Sequence, residues 1–90
     1  MSRFIVERTF PEGLNIPMTA EGIAATLGIV DRIAEVGVTW ITSYVTVDHT
    51  KTFCVYDGPD EESIYRAANR TDLPLDKVTR VTVLDPYFYS

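Results

Sequence analysis

The sequence predicts an α+β fold in which a four-stranded antiparallel sheet carries two helices on one face. Three observations carry that expectation. Four segments rich in β-branched and aromatic residues change character at every second position. Two segments between them place apolar residues at helical spacing behind acidic starts. The chain has 90 residues, 46% of them apolar and 23% charged. That supports one domain spanning 1–90 and argues against two.

The first strand runs from Arg3 to Phe10. Phe4, Val6, Arg8 and Phe10 share one parity, and Ile5, Glu7 and Thr9 share the other. Phe10 to Met18, with Pro11, Gly13, Asn15 and Pro17, reads as a loop within the domain. Thr19 is a plausible N-cap, and Glu21 suits the positive end of the helix dipole. Ile23, Leu27, Val30 and Ala34 then recur at helical spacing, and Gly37 stops the helix. Val38 to Val47 is the second strand. Asp48-His49-Thr50-Lys51 is a polar turn that joins it in a hairpin to a third strand, Thr52 to Tyr56. Gly58-Pro59 ends that strand. Asp60 caps a second helix through Thr71, and Pro74 prevents its smooth continuation. Val78 to Leu84 is the fourth strand. Asp85-Pro86 opens an aromatic tail, Tyr87-Phe88-Tyr89. The order β-α-β-β-α-β is the ferredoxin-like, split-βαβ arrangement. It leaves one sheet face without helices, and small domains of this layout often cover that face by pairing sheets in a homodimer.

Composition narrows the partners. Acidic residues outnumber basic ones 13 to 8, for a net charge of -5. No basic stripe is visible, which argues against nucleic acid and anionic membrane surfaces. No apolar run reaches the roughly 18–20 residues that span a bilayer. The N-terminus shows no targeting segment. A single cysteine excludes an intramolecular disulfide, and a reducing cytoplasm fits best.

Strand parity divides the candidates between two faces. The more aliphatic set is Phe4, Val6, Ile41, Val45, Val47, Phe53, Val55, Val81 and Val83, and it is assigned to the helix-covered side. The other set is Glu7, Thr9, Trp40, Thr42, Tyr44, Cys54, Tyr56, Arg80 and Thr82. Its mixture of aromatic rings, hydroxyls, one thiol and two charges suits either a ligand pocket or a dimer interface. Arg8 lies opposite Glu7 and is expected at the sheet margin.

Within the mixed set, Glu7 is the candidate general acid or base, or a metal ligand, if it is desolvated. The alternative is an ion pair with Arg80 or another base. Tyr44, Tyr56 and Arg80 could stabilise developing charge. Thr9, Trp40, Thr42, Cys54 and Thr82 are candidate ligand contacts. Cys54 is either a nucleophile or a small buried hydrophobe. It lies about 15 Å along an extended strand from His49, so the two form no dyad within one hairpin. His49 is the one imidazole available to a metal, or simply a turn residue. HxH, HxxxH, CxxC, Gly-rich phosphate-loop and GxSxG patterns are all missing.

Four stretches carry a family resemblance: Val6-Glu7-Arg8-Thr9-Phe10, Trp40-Ile41-Thr42-Ser43-Tyr44-Val45, Lys51-Thr52-Phe53-Cys54-Val55-Tyr56 and Leu73-Pro74-Leu75-Asp76-Lys77-Val78. Together they resemble the small bacterial family of nickel-binding-like proteins of unknown function. The resemblance spans almost the whole chain. It implies a ferredoxin-like subunit, a homodimer akin to the dimeric α/β-barrel proteins, and nickel or another divalent metal as a ligand. Three functions compete on this reading. The first is a homodimeric protein binding a metal or small molecule. The second is a cofactor-free isomerase, cyclase or decarboxylase acting on a small hydrophobic molecule on the open sheet face. The third is a purely structural dimer.

Overall fold

Alternation of polar and apolar side chains makes Ser2–Thr9 a strand, β1, in which Phe4, Val6 and Arg8 are buried on one face. The structure is a computed structural model and describes residues 1–15, 19–71 and 73–87. Its further elements are α1 (Ala20–Ala34), β2 (Thr39–Val45), β3 (Lys51–Gly58), α2 (Glu61–Thr71) and β4 (Lys77–Val81). The four strands form one antiparallel sheet in the order β2-β3-β1-β4. This is the expected β-α-β-β-α-β, ferredoxin-like α+β arrangement. Strand β4 ends at Val81 rather than Leu84, so Thr82 lies beyond it. Phe88 and Tyr89 of the aromatic tail, and Pro17 and Met18 of the first loop, lie outside the described residues.

The caps follow the sequence. The Thr19 hydroxyl accepts the Gly22 N–H at 3.2 Å and opens α1. Asp60 accepts both the backbone N–H and the hydroxyl of Ser63, at 2.8 and 2.7 Å, and opens α2. At the end of α1, Gly37 takes a φ of 77°. The Val38 N–H returns to the Ile33 carbonyl and the Gly37 N–H to that of Ala34, a Schellman closure.

Cross-strand pairing fixes the faces, because directly opposed residues share a side of the sheet. Phe4 opposes Tyr56 and Arg80, and Val6 opposes Cys54 and Val78. The helix-covered face therefore carries Tyr56 and Cys54, not Phe53 and Val55. Arg80 falls on the same side of the edge strand, and Val81, opposite Arg3, falls on the open side. In β2 the register shifts between Trp40 and Thr42, a bulge that puts Ile41 out of step. Trp40, opposite Tyr56, consequently joins the covered face, while Thr42 and Tyr44 stay on the open one.

The core is Phe4, Val6, Ile33, Val38, Cys54, Tyr56, Ile64 and Ala67, with Ile29, Val36, Trp40, Leu75 and Val78 packed against it. Helix α1 is turned relative to its expected stripe. Gly22 and Ile33 are buried, while Ile23, Leu27 and Val30 are exposed. It packs against α2 and β2 and leaves space over the middle of the sheet. Among the described residues, no helix is long and apolar enough to cross a membrane.

Candidate functional site

The space beneath α1 is a cavity of about 140 Å³. Its lining is almost wholly apolar. Phe10, Leu14, Ile29, Val45 and Leu73 supply an apolar side. Arg8, Ser43, Thr52, Cys54, Trp40 and Tyr56 come from the strands, and their polar atoms are almost wholly covered from the cavity. Strand geometry explains the grouping. Arg8 opposes Thr52 across β1 and β3, Cys54 and Tyr56 follow at alternate positions, and Trp40 and Ser43 oppose Tyr56 and Cys54 from β2.

Arg8 is the feature that sequence reasoning missed. It is 3% exposed and stands well inside the sheet margin expected for it. Its parity with Phe4, Val6 and Phe10 was the available signal. Nη1 donates to the Tyr56 hydroxyl at 3.2 Å, and Cζ lies 5.7 Å from the Tyr56 ring centroid. Nε is buried without a hydrogen-bond partner. Among the described residues no carboxylate pairs with Arg8; the four ion pairs there use Arg3, Lys51, Arg66 and Arg70. A second void of about 10 Å³ touches Arg8 from the side of Ile64, Ala67 and Thr71.

The surrounding groups are ordered. Burial pushes the Tyr56 phenol up to about 12, against a smaller opposing pull from the Arg8 charge. Tyr56 is therefore neutral over the physiological range. Its ring lies 6.4 Å from that of Trp40, tilted by 31°. The Trp40 indole N–H donates to the Ser43 hydroxyl at 2.8 Å. The Cys54 thiol is buried and donates to the Thr52 hydroxyl at 3.7 Å.

The remaining candidates lie elsewhere. Glu7 is on the open face, 3.4 Å from the Lys51 ammonium; its partner is Lys51 and not Arg80. Lys51 also sits 5.5 Å from the Phe53 ring centroid. Thr9 hydrogen-bonds Asp76 at the end of β1. Tyr44, opposite Phe53, is 65% exposed, and Thr42 opposes Val55. Arg80 and Thr82 line a shallow groove at the other end of the sheet, beside Arg3 and Asp57. Glu7, Tyr44, Tyr56 and Arg80 thus belong to three separate environments. Acid–base chemistry needs its groups within reach of one substrate, and these four are not gathered around one point.

His49 occupies the hairpin turn with a φ of 62°. Its Nδ1 lies 3.0 Å from the Leu14 carbonyl oxygen. The turn is held by Asp48, which accepts from the Thr50 N–H and from the hydroxyls of Thr46 and Thr50. Those bonds, the Thr50 N–H foremost, lower the Asp48 carboxyl to about 2. His49 in an exposed turn, Cys54 in the core and Glu7 on the open face do not converge. Among the described residues, no three His, Cys, Asp or Glu side chains form a group that could hold a metal ion.

No curated protein matches the chain. The crystal structure of SCO4226 from Streptomyces coelicolor A3(2) superposes with a TM-score of 0.73 at 15% sequence identity, covering 93% of this chain and 100% of that one. That likeness supports the fold. A family model described as "Nickel responsive protein SCO4226-like" matches residues 4–81. With that span, the chain belongs to the SCO4226-like family of nickel responsive proteins.

Proposed function

We propose that this family member is a homodimeric binding protein that holds a small organic molecule in the cavity between α1 and the sheet. The observation that carries the reading is the cavity itself, about 140 Å³ with an almost wholly apolar lining. A cavity of about 150 Å³ takes a benzene ring. Apolar enclosure with a few placed polar groups is the usual form of a small-molecule site.

The family description raises nickel as the alternative ligand. Nickel would draw on imidazole, thiolate or carboxylate donors. Within one subunit His49, Cys54 and Glu7 are each engaged in a different place. The described residues therefore do not fit a nickel site built by a single chain, and an organic ligand is the better reading.

The homodimer is proposed to form through the open sheet face. Ile5, Tyr44, Phe53, Val55 and Val81 lie on that side, with Tyr44 65% exposed. Pairing sheets would remove this apolar surface from water. Sedimentation equilibrium, together with a thermal-shift series in toluene and in nickel chloride, tests the reading. A dimer stabilised by toluene is expected. A monomer, or stabilisation by nickel with none by toluene, would overturn it.

A further inference from the structure

We propose that the cavity selects an uncharged, hydrocarbon-like molecule of about one ring and rejects acids and alcohols of the same shape. This deepens the binding reading above and rests on it.

The argument begins with the lining. The surface that faces the space is almost wholly apolar. The polar groups around it are turned onto one another. The Trp40 indole donates to the Ser43 hydroxyl at 2.8 Å, the Cys54 thiol to the Thr52 hydroxyl at 3.7 Å, and Arg8 Nη1 to the Tyr56 hydroxyl at 3.2 Å. A ligand hydroxyl in this space would leave its water partners and meet apolar surface. Burying a polar group without a hydrogen bond is costly, and burying a charge costs far more. Water is a poor occupant too, since a buried water needs several polar partners. An apolar molecule loses no hydrogen bond on entering, and its surface leaves water.

Shape then limits the size. Arg8, Thr52, Cys54 and Tyr56 are buried and form the floor. Phe10, Leu14 and Leu73 are half-buried and Val45 is exposed, which puts the mouth at the end of β2. That mouth is held before any ligand arrives. The Phe10 N–H donates to the Thr50 carbonyl and the Leu14 N–H to the His49 carbonyl, both at 2.7 Å. His49 Nδ1 lies 3.0 Å from the Leu14 carbonyl oxygen. These contacts tie the loop bearing Phe10 and Leu14 to the turn between β2 and β3. A preformed wall binds at a lower ordering cost, and a volume of about 140 Å³ leaves room for one benzene-sized ring.

The test is calorimetric titration of the intact chain with toluene, phenol and benzoate. Toluene and phenol are nearly isosteric, with a methyl group in one where the other has a hydroxyl. Trp40, the one tryptophan of the sequence and part of the cavity wall, reports occupancy by fluorescence. Toluene should bind more tightly than phenol by roughly a hundredfold, beyond the preference that octanol, itself able to hydrogen-bond, shows for the same pair. Benzoate should not bind. Ile29→Phe, which pushes a ring from α1 into the space, should abolish toluene binding while the unfolding transition stays cooperative. A toluene preference no larger than that of octanol, or benzoate binding as tight as that of toluene, would overturn the class assignment and leave the cavity reading standing. Binding of none of the three would overturn both. Toluene binding that persists in a folded Ile29→Phe would place the site elsewhere and overturn both. The comparison on the native chain needs no variant to fold.

Discussion

Replacing Arg8 with methionine in the ligand-free protein should make it more stable. The magnitude follows from what the side chain makes and lacks. Its one hydrogen bond among the described residues, to Tyr56 at 3.2 Å, is lost. A bond from a charged donor contributes about 1.5–3 kcal/mol. Against this stands a guanidinium buried to 3% exposure with Nε unsatisfied and no carboxylate partner among the described residues. The penalty for burying such a charge is several kcal/mol, and exchanging buried ionic groups for well-packed apolar ones ranges from neutral to about 4 kcal/mol stabilising. Methionine has the length and flexibility to fill the space beside Tyr56. The balance is a gain of about 1–2 kcal/mol. For a chain of this size that raises Tm by roughly 4–16 °C. Urea and thermal unfolding at one fixed protein concentration would measure it, since any dimer makes Tm concentration-dependent. A loss of more than about 2 kcal/mol would refute the reasoning. It would show that the Arg8 charge is compensated within the ligand-free protein.

Further outcomes follow from the same geometry. Tyr56 has a phenol held up at about 12, against about 10 in the unfolded chain. The folded state keeps that proton longer, so this contribution to stability is complete below about pH 10 and declines as pH rises toward 12, by up to about 3 kcal/mol. Urea midpoints at pH 9 and 11.5 should therefore differ more for the native chain than for Tyr56→Phe; an equal drop in both would contradict the assignment. Tyr44→Glu, on the open face, should convert the dimer to monomer in sedimentation while circular dichroism stays unchanged. His49 occupies a left-handed turn position, which asparagine tolerates and β-branched residues do not. His49→Asn should stay within about 0.5 kcal/mol of the native chain, whereas His49→Val should cost about 1–2 kcal/mol by urea unfolding.

Much of this architecture is legible in the residues, and the limits have physical causes. Thr19 and Asp60 announce the helix starts because short polar side chains there satisfy orphan N–H groups. Phe4 and Val6 give the covered face of β1 because the opposite parity carries Glu7 and Thr9. The same rule fails in β3. Phe53 and Val55 look more aliphatic than Thr52, Cys54 and Tyr56, yet the pairing of Val6 with Cys54 sends them to the open face. An uncovered face that is itself apolar removes the contrast on which parity depends. In β2 the bulge at Ile41 breaks the period of two, so Trp40 and Tyr44 part company. In α1 the apolar residues nearly encircle the helix, and a stripe read one position away picks Ile23, Leu27 and Val30 in place of Ile29 and Ile33. The site suffers most from these exchanges. Trp40, Cys54 and Tyr56 do meet, but around Arg8 beneath the helices and away from Glu7.

The central claim is that a homodimer holds an organic ligand beneath α1 and not a metal. Native mass spectrometry of protein purified without an affinity tag, before and after chelator, paired with thermal unfolding in toluene, tests it most directly. The account predicts a metal-free dimer whose mass is unchanged by the chelator and whose Tm rises in toluene. A dimer carrying one metal equivalent per subunit, lost on chelation and indifferent to toluene, would contradict it.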